Sequence, residues 1–332
     1  MHRPKPMGTV RPAGDAEAMD AVSTPLPPGY RSGFVALIGR PNVGKSTLVN
    51  QLVGDKVAIT SPVAQTTRNR LRAILTTPEA QLILVDTPGI HKPHHLLGER
   101  LVQSARSAIG EVDQVLLLLE GCERPGRGDA FIVNLLRQQQ LPVQVVLNKW
   151  DRVAGDRKPE ADAAYRELLL ETEWPVHHCS ALNGTGCMDL VAAVSRLMPE
   201  GPQLYPPEMV SDQPERLLMA ELIREQVLIH TREEVPHSVA VSIERVEDMP
   251  SRGKGGARTA VLATVLVERK SQKGILIGKG GAMLKTIGQG ARLQMQTLID
   301  GPVYLELFVK VVPDWRSKPQ RLNELGYGDD GS

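Results

Sequence analysis

The chain has 332 residues, of which 41% are hydrophobic, and a formal net charge of +1. This length suits roughly two domains with real cores, and the balanced charge gives no overall preference for a nucleic-acid partner. No apolar run approaches the ~20 residues of a membrane span. Three cysteines without a C-x-x-C spacing predict a reducing compartment and argue against a disulfide framework or a zinc site.

The first elements of the chain predict a tail followed by a phosphate-binding loop. Residues 1–30 are rich in proline, show no signal-peptide core and predict a flexible tail. The apolar run 34–38 is typical of a buried parallel strand, and residues 46–53 predict the first turns of a helix. Between them, residues 39–46 fit the pattern G-x-x-x-x-G-K-[ST].

A loop of this kind surrounds the α- and β-phosphates with backbone N–H groups at a helix N-terminus. Its lysine, Lys45, would reach the β- and γ-phosphates, and its serine, Ser46, would bind Mg²⁺. The residues predicted to bind nucleotide here are Gly39, Arg40, Pro41, Asn42, Val43, Gly44, Lys45, Ser46 and Thr47.

The segment 65–68, Gln-Thr-Thr-Arg, predicts a switch. A threonine hydroxyl here would complete the Mg²⁺ shell only while the γ-phosphate is present. We favour Thr67 over Thr66 for this role.

A strand over residues 82–85 delivers the next polar group. Asp86 would hold Mg²⁺ through water, and the N–H of Gly89 would sense the γ-phosphate. The nucleotide-binding residues predicted here are Asp86, Thr87, Pro88 and Gly89, the metal ligands are Ser46, Thr67 and Asp86, and the catalytic residues are Lys45, Thr67 and Gly89.

Ile90 occupies the position where many GTPases place a glutamine that orients water. We expect Ile90 to pack in the core, so that intrinsic hydrolysis is slow or depends on another element. Histidines form two groups, His91, His94 and His95, and then His177 and His178. Zinc binding by these groups is the weaker alternative, because they lie in the predicted switch and beside the predicted base site.

The base specificity is predicted by the residues that follow two further strands, 115–119 and 143–147. A carboxylate at Asp151 can accept two hydrogen bonds from the N1–H and N2–H₂ edge of guanine. Adenine offers no such pair and would leave a buried carboxylate unpaired. The predicted base-site residues are Asn148, Lys149, Asp151, Ser180, Ala181 and Leu182. With the phosphate loop, they predict GTP.

A second domain begins after a proline-rich connector. Residues 31–198 form the predicted GTPase domain, 199–211 the linker and 212–328 the second domain. In the second domain we predict a helix at 214–231 and two strands at 239–243 and 259–267. Two helices then flank a G-x-x-G turn, the second of them at 282–298, and a last strand follows at 303–311. This is the element order of the bacterial KH variant.

The G-x-x-G turn at residues 278–281 would let a nucleic-acid backbone approach closely. Nine basic residues against one acid between Arg252 and Arg292 add a positive face. Aromatic residues are almost absent near the turn, so an aliphatic groove is favoured over ring stacking. The predicted RNA-binding residues are Ile275, Ile277, Gly278, Lys279, Gly280, Gly281 and Lys285.

Over about residues 31–328 the chain resembles the Era family of translation-factor-related GTPases. The resemblance rests on four GTPase segments, at 39–47, 65–68, 86–91 and 148–151, and on the C-terminal segments 205–207 and 211–216. It implies an α/β P-loop GTPase domain, with a mixed, mostly parallel sheet flanked by helices, followed by an α+β type II KH domain.

The resemblance also implies cofactors, partners and a location. These are GTP or GDP with Mg²⁺, the 3′ end of small-subunit ribosomal RNA, a precursor of the small ribosomal subunit, and a cytoplasmic monomer with peripheral contact to the inner face of the plasma membrane. Similar GTPases use an asparagine at the position of Asn42 to help hold K⁺. Two alternatives stay open, a GTPase of the tRNA-modification type and an RNA chaperone that uses GTP only as a conformational ligand.

Overall fold

The computed structural model describes residues 26–61, 63, 66–90, 96–249 and 258–327. Most of the predicted tail therefore lies outside the described residues. So do Gln65 of the predicted switch, the histidine group His91, His94 and His95, and two of the nine basic residues, Arg252 and Lys254.

The first domain is built on a six-stranded sheet. Its strands are β1 Arg31–Gly39, β2 Leu71–Thr76, β3 Ala80–Asp86, β4 Gln114–Glu120, β5 Val143–Asn148 and β6 Val176–His178. Their order is β2-β3-β1-β4-β5-β6, and every pair is parallel except β2 with β3. The predicted mixed, mostly parallel α/β sheet is confirmed.

Helices cover both faces of this sheet, with bounds α1 Lys45–Val53, α2 Leu96–Ile109, α3 Arg127–Arg137, α4 Lys158–Leu168 and α5 Cys187–Leu197. Val35 and Leu37 of β1 pack on the side of α1 and α5, while Ala36 and Ile38 pack on the side of α2 and α3. Burial on both faces explains why the strands are continuous apolar runs. The carboxyl ends of the parallel strands meet at one edge, where open α/β sheets bind ligands.

The linker runs back along the first domain. The side chain of Gln81 accepts hydrogen bonds from the N–H groups of Leu204 and Tyr205 at 2.7 and 2.9 Å. Ser211 Oγ donates to the carbonyl of Arg72 at 2.9 Å. The connector is therefore bound to β2 and β3 of the sheet at several points.

The second domain begins with α6 Glu215–His230 and continues through α7 Val235–Ser238, β7 Ala240–Met249, β8 Arg258–Val267, α8 Lys270–Ile277, α9 Ala282–Leu298, β9 Val303–Val311 and α10 Pro319–Glu324. In its sheet, β7 pairs antiparallel and β9 parallel with β8. This arrangement confirms the predicted α+β KH domain.

Two apolar clusters organise the second domain. Val227 of α6, Val265 of β8 and Ile287 of α9 belong to its central core. The C-terminal segment packs on the first domain, where Trp315 and its neighbours join Leu97 and Leu101 of α2 in a separate cluster. Among the described helices, none has the length and apolar character that crossing a bilayer requires.

Candidate nucleotide site and nucleic-acid groove

The phosphate loop joins the end of β1 to the start of α1. Gly44 has φ +100°, and a Cβ there would collide with the side-chain amide of Asn148. A Cβ on Gly39 would lie 2.5 Å from the carbonyl oxygen of Leu118. Both positions therefore need glycine, one for its backbone conformation and both for close contact. Thr47 and Pro41 line the cavity beside the loop.

Lys45 is buried at the base of the loop. Its ammonium donates to the carbonyls of Gly39 at 3.3 Å and Arg40 at 3.1 Å. Burial lowers the pKa of Lys45 to about 8, and the charge of Asp86 partly opposes that shift. A phosphate beside this ammonium would replace the lost solvation of the cation.

The three predicted Mg²⁺ ligands lie together. Ser46 Oγ donates to Asp86 Oδ2 at 2.6 Å, and Thr67 Oγ1 lies 3.0 Å from the same oxygen and 2.8 Å from Ser46 Oγ. Asp86 Oδ1 is buried and has no hydrogen-bond partner among the described residues. Burial also raises the pKa of Asp86. Hard oxygen ligands with an unused carboxylate oxygen fit Mg²⁺.

The structure separates the two threonines of the predicted switch. Thr66 Oγ1 donates to the carbonyl of Val63 at 2.7 Å, whereas Thr67 Oγ1 lies with Ser46 and Asp86. This geometry favours Thr67 as the metal ligand. Within the described residues, no group of three or more His, Cys, Asp and Glu side chains could hold a metal ion.

The segment after β3 packs against the phosphate loop. Thr87 Oγ1 donates to the carbonyl of Leu37 at 2.8 Å, and the N–H of Ile90 donates to the carbonyl of Gly39 at 3.2 Å. A Cβ on Gly89 would lie 2.6 Å from the nitrogen of Pro41. The Ile90 side chain is buried in the core on the side of α2 and α3, as predicted, and Pro88 lies between these contacts.

Asn148 links the phosphate loop to the predicted guanine loop. Its Nδ2 donates to the carbonyl of Val43 at 2.8 Å, and its Oδ1 accepts from the N–H of Ala181 at 2.9 Å. Ser180 is buried beside it, and Leu182 is 71% exposed. Asn148 therefore acts as a brace between two loops.

The carboxylate of Asp151 is exposed in a 3₁₀ turn that follows β5. Lys149 has φ +59°, and its Nζ pairs with Glu120 Oε1 at 2.5 Å. The arrangement leaves Asp151 available for a base, while Lys149 is held at the wall of the site. Glu120 was not predicted from the sequence, where its only signal is its position as a charged residue at the end of an apolar strand.

Arg40 has a partner that its position in the loop did not predict. Its Nε donates to Asp129 Oδ1 of α3 at 2.7 Å, and Asp129 is fully buried.

Asn42 is exposed with φ +66°. Asparagine tolerates this left-handed conformation better than most residues. A cavity of about 420 Å³ lies among Asn42, Lys45, Thr67 and Lys149.

In the second domain, the G-x-x-G turn joins α8 to α9. Gly278, Gly280 and Gly281 all have positive φ, at +71°, +60° and +82°. A Cβ on Gly278 would lie 2.9 Å from the nitrogen of Met283, while no described atom lies within 4 Å of one on Gly280 or Gly281. Gly278 therefore shapes the turn, and the other two leave its outer side open.

Lys279 and Lys285 are exposed beside this open side, and Ile275 is 52% exposed. Ile277 is only partly buried and packs against the core of the domain. The predicted RNA-binding residues therefore surround the turn, with Ile277 directed more to the core than to solvent.

A cavity of about 380 Å³ extends from the turn between α9 and β9. Leu284, Arg292, Tyr304 and Leu305 line it together with Lys285. Tyr304 is 53% exposed and brings an aromatic ring to the groove. This ring was not predicted, because Tyr304 is remote from the turn along the chain and reaches the groove only where β9 lies beside α9.

Two family models match the chain, the 50S ribosome-binding GTPase over residues 34–149 and the KH domain over residues 234–316. The GTPase Era of Synechocystis sp. (strain ATCC 27184 / PCC 6803 / Kazusa) is 56% identical over 301 residues, which cover 91% of this chain and 94% of the relative. The GTPase Era of Nostoc sp. (strain PCC 7120 / SAG 25.82 / UTEX 2576) is 58% identical over 307 residues, 92% of this chain and 93% of the relative.

Solved structures agree with this match along the chain. A crystal structure of Era in complex with MgGDPNP and nucleotides 1506–1542 of 16S ribosomal RNA has a TM-score of 0.86 and 39% identity, and it covers 90% of this chain and 99% of its own. A substituted Aquifex aeolicus Era bound to GDP·AlF₄⁻ has a TM-score of 0.85 and 38% identity, with the same coverage. The chain is therefore a GTP-binding enzyme that hydrolyses GTP, and it belongs to the Era family of GTPases.

Proposed function

We propose that the protein is a Mg²⁺-dependent GTPase switch that binds the 3′ end of small-subunit ribosomal RNA during maturation of the small subunit. The observation that carries the nucleotide part is the cluster of Ser46, Thr67 and Asp86 beside the buried ammonium of Lys45. The groove beside the G-x-x-G turn supports the RNA part.

The residues of the first domain would share the work of hydrolysis. Lys45 and the loop amides donate to phosphate oxygens where negative charge develops. Ser46 and Thr67 present hydroxyl oxygens, and Asp86 presents a carboxylate, to Mg²⁺, which when bound neutralises charge on the β- and γ-phosphates. Loss of the γ-phosphate would release Thr67 and Gly89, so that the segment containing them changes conformation.

Ile90 leaves hydrolysis without a glutamine at the usual position, and we propose that a K⁺ ion held by Asn42 supplies positive charge in its place. Hydrolysis should then be faster in potassium than in sodium. Asn42→Gly should abolish the difference between the two salts. Glycine tolerates the φ of +66° at this position while the side chain is removed. Equal rates of the parent protein in the two salts would exclude this role.

The choice of RNA follows from a relative. The related Era structure holds nucleotides 1506–1542 of 16S ribosomal RNA. In this chain the exposed cations Lys285 and Arg292 of α9 line the groove, and Lys279 is exposed in the turn at its end. Such cations supply the electrostatic part of RNA affinity.

One experiment tests the whole proposal. GTP turnover is measured with Mg²⁺ and with a chelator, and RNA crosslinked to the protein in cells is sequenced. Turnover that requires Mg²⁺, with crosslinks at the 3′ end of small-subunit ribosomal RNA, is the expected result. Crosslinks concentrated on transfer RNA, or absence of GTP turnover in the presence of Mg²⁺, would contradict it.

We also propose a cytoplasmic monomer that contacts the inner face of the plasma membrane through the same exposed cations. Such cations are attracted to anionic lipid headgroups. Fractionation of cells in low and high salt tests this location. Salt-sensitive recovery in the membrane fraction is expected, and recovery only in the soluble fraction at low salt would remove the membrane contact.

A further inference from the structure

The second domain holds both neighbours of Thr67. The carbonyl of Thr66 accepts a hydrogen bond from the guanidinium of Arg224 on α6. On the other side, Arg68 extends into the second domain and donates to the carbonyl of Val239 at 2.5 Å. The same guanidinium lies 3.3 Å from the carbonyl oxygens of two residues in α7, Pro236 and His237. Both arginines are almost completely buried.

Arg224 is itself fixed by its own helix. Its Nε donates to Glu221 Oε1 at 2.9 Å, and its Nη2 to Glu221 Oε2 at 2.5 Å. The pairing is bidentate, which fixes the plane of the guanidinium as well as its charge. The same Nη2 also donates to the carbonyl of Thr66, so this contact is made from a fixed position on α6.

The next residue of α6 holds an earlier part of the same segment. Glu225 accepts from the N–H of Thr60 at 2.8 Å and from Lys56 Nζ at 2.5 Å. Gln294 of α9 donates to Glu225 Oε2 at 2.8 Å. Ile59 packs into the core of the second domain. The second domain thus holds Lys56, Ile59 and Thr60 as well as Thr66 and Arg68.

We infer that Arg224 is a positioning residue for GTP hydrolysis, supplied by the RNA-binding domain to the catalytic site of the GTPase domain. Arg224 contacts the backbone carbonyl of Thr66, next to the proposed metal ligand. It fixes the peptide that precedes Thr67, so that the hydroxyl stays 2.8 Å from Ser46 Oγ and 3.0 Å from Asp86 Oδ2. The inference rests on the metal role proposed for Thr67.

The physical basis is that the backbone of Thr67 is fixed before the nucleotide binds. A threonine between two free neighbours must lose backbone freedom when it joins a metal site. With both neighbours already fixed, that loss occurs on folding, and the site is organised in advance for the triphosphate state. GDP lacks the γ-phosphate, so its affinity should depend little on this arrangement.

The experiment compares Arg224→Met with Arg224→Lys in the full chain. Methionine has a similar length and no donor, while lysine keeps one donor and the charge beside Glu221. Arg216→Met, at an exposed position of the same helix, is the matched control. The measurements are kcat, KM, the Mg²⁺ concentration that half-saturates binding of a non-hydrolysable GTP analogue, and GDP affinity.

We expect Arg224→Met to lower kcat, and to raise the required Mg²⁺ concentration, each by at least about tenfold, because a charge-assisted hydrogen bond is lost. GDP affinity should stay within about twofold, Arg224→Lys should recover part of the loss, and Arg216→Met should match the parent protein. A folded Arg224→Met protein with parental kcat and Mg²⁺ requirement, or with an equal loss of GDP affinity, would overturn the inference.

Two further variants keep the outcome decisive. If Arg224→Met does not fold, Glu221→Gln weakens the anchor without removing the guanidinium, and a smaller change in the same direction supports the inference, while no change overturns it. Thr67→Ala separates the inference from the proposed function. If Mg²⁺-dependent binding of the GTP analogue is unchanged in Thr67→Ala, the metal role of Thr67 itself is refuted. If Thr67→Ala alters this binding and Arg224→Met does not, only the positioning role of Arg224 is refuted.

Discussion

The side-chain amide of Asn148 donates to the backbone carbonyl of Val43 at 2.8 Å, and this contact joins the end of β5 to the phosphate loop. The other end of the amide accepts from Ala181. One buried side chain thus sets the distance between the groups for the phosphates and the groups for the base. It does so without occupying the place of either.

Asn148→Ala should weaken GTP and GDP binding to a similar extent, by at least about tenfold, and should lower the free energy of unfolding by about 2–4 kcal/mol. The reason is that the Val43 carbonyl and the Ala181 N–H lose their buried partner. Calorimetric titration and urea unfolding measure the two effects. Asn148→Asp retains only an acceptor, so it should keep the Ala181 contact. Loss of guanine preference in Asn148→Ala without loss of stability would show that Asn148 acts by contacting the base and not as a brace.

Asp151→Asn should exchange the preference for guanine for one for xanthine. The amide can donate where xanthine has an oxygen, and it no longer offers two acceptors to the guanine edge. Competition binding with GTP and xanthosine triphosphate measures the change. Asp156→Asn, an exposed aspartate in the following helical turn, is the matched control and should retain the preference for GTP. Unchanged selectivity in Asp151→Asn would remove this residue from the base site.

Ile90→Gln should not speed hydrolysis, although it restores the residue type that many GTPases use. The side chain at this position is 2% exposed and lies in the core near Ala36 and Ile38, so a glutamine amide would be buried there. We expect a loss of about 1–3 kcal/mol in the free energy of unfolding. Ile90→Val, which stays apolar, should cost about 1 kcal/mol and leave the rate unchanged. A clear rise in kcat for Ile90→Gln would contradict the buried orientation.

Lys279→Asp combined with Gly280→Asp should lower RNA affinity by at least tenfold, or about 1.4 kcal/mol. Gly280 has φ +60° with open space around it, so aspartate can adopt the backbone there and place its charge where phosphates approach. RNA binding across a salt series measures the loss. The matched control is Lys279→Ser with Gly280→Asn, which preserves the shape without negative charge and should lose less. GTP affinity should be unchanged in both, and equal RNA affinity of the acidic variant and the parent would refute the RNA role of the turn.

Much of the fold was predictable because its signals are local in the chain. The final strand and the helix after the G-x-x-G turn have the predicted bounds, Val303–Val311 and Ala282–Leu298. Both are long segments with a clear period, which sequence patterns indicate best. By contrast β7 extends to Met249, beyond the predicted end at residue 243, because its outer half is exposed and is defined by pairing with β8 across a bulge.

The residues of the site were predictable from the sequence, but the residues that hold them in place were not. The spacing of Lys45, Asp86 and Asn148 follows from chemistry that recurs at the ends of parallel strands. The partners Asp129 and Glu120, and the ring of Tyr304, are brought to the sites by pairing and packing between distant segments. Arg224 is the clearest case. Nothing near it in sequence indicates that its acceptor is the carbonyl of Thr66 in the other domain.

The contacts of Arg68 and α2 with the second domain have a consequence for synthesis. The chain is made from its amino end, so Arg68 emerges before the carbonyl of Val239, and Leu97 before Trp315. At the speed of a ribosome, completing the second domain takes on the order of ten seconds. Throughout that interval the nascent GTPase domain lacks the groups that cover its switch segment. A truncated product that ends before α6 would carry the phosphate loop and Thr67 without the contacts from Arg224 and Val239 that hold the switch segment.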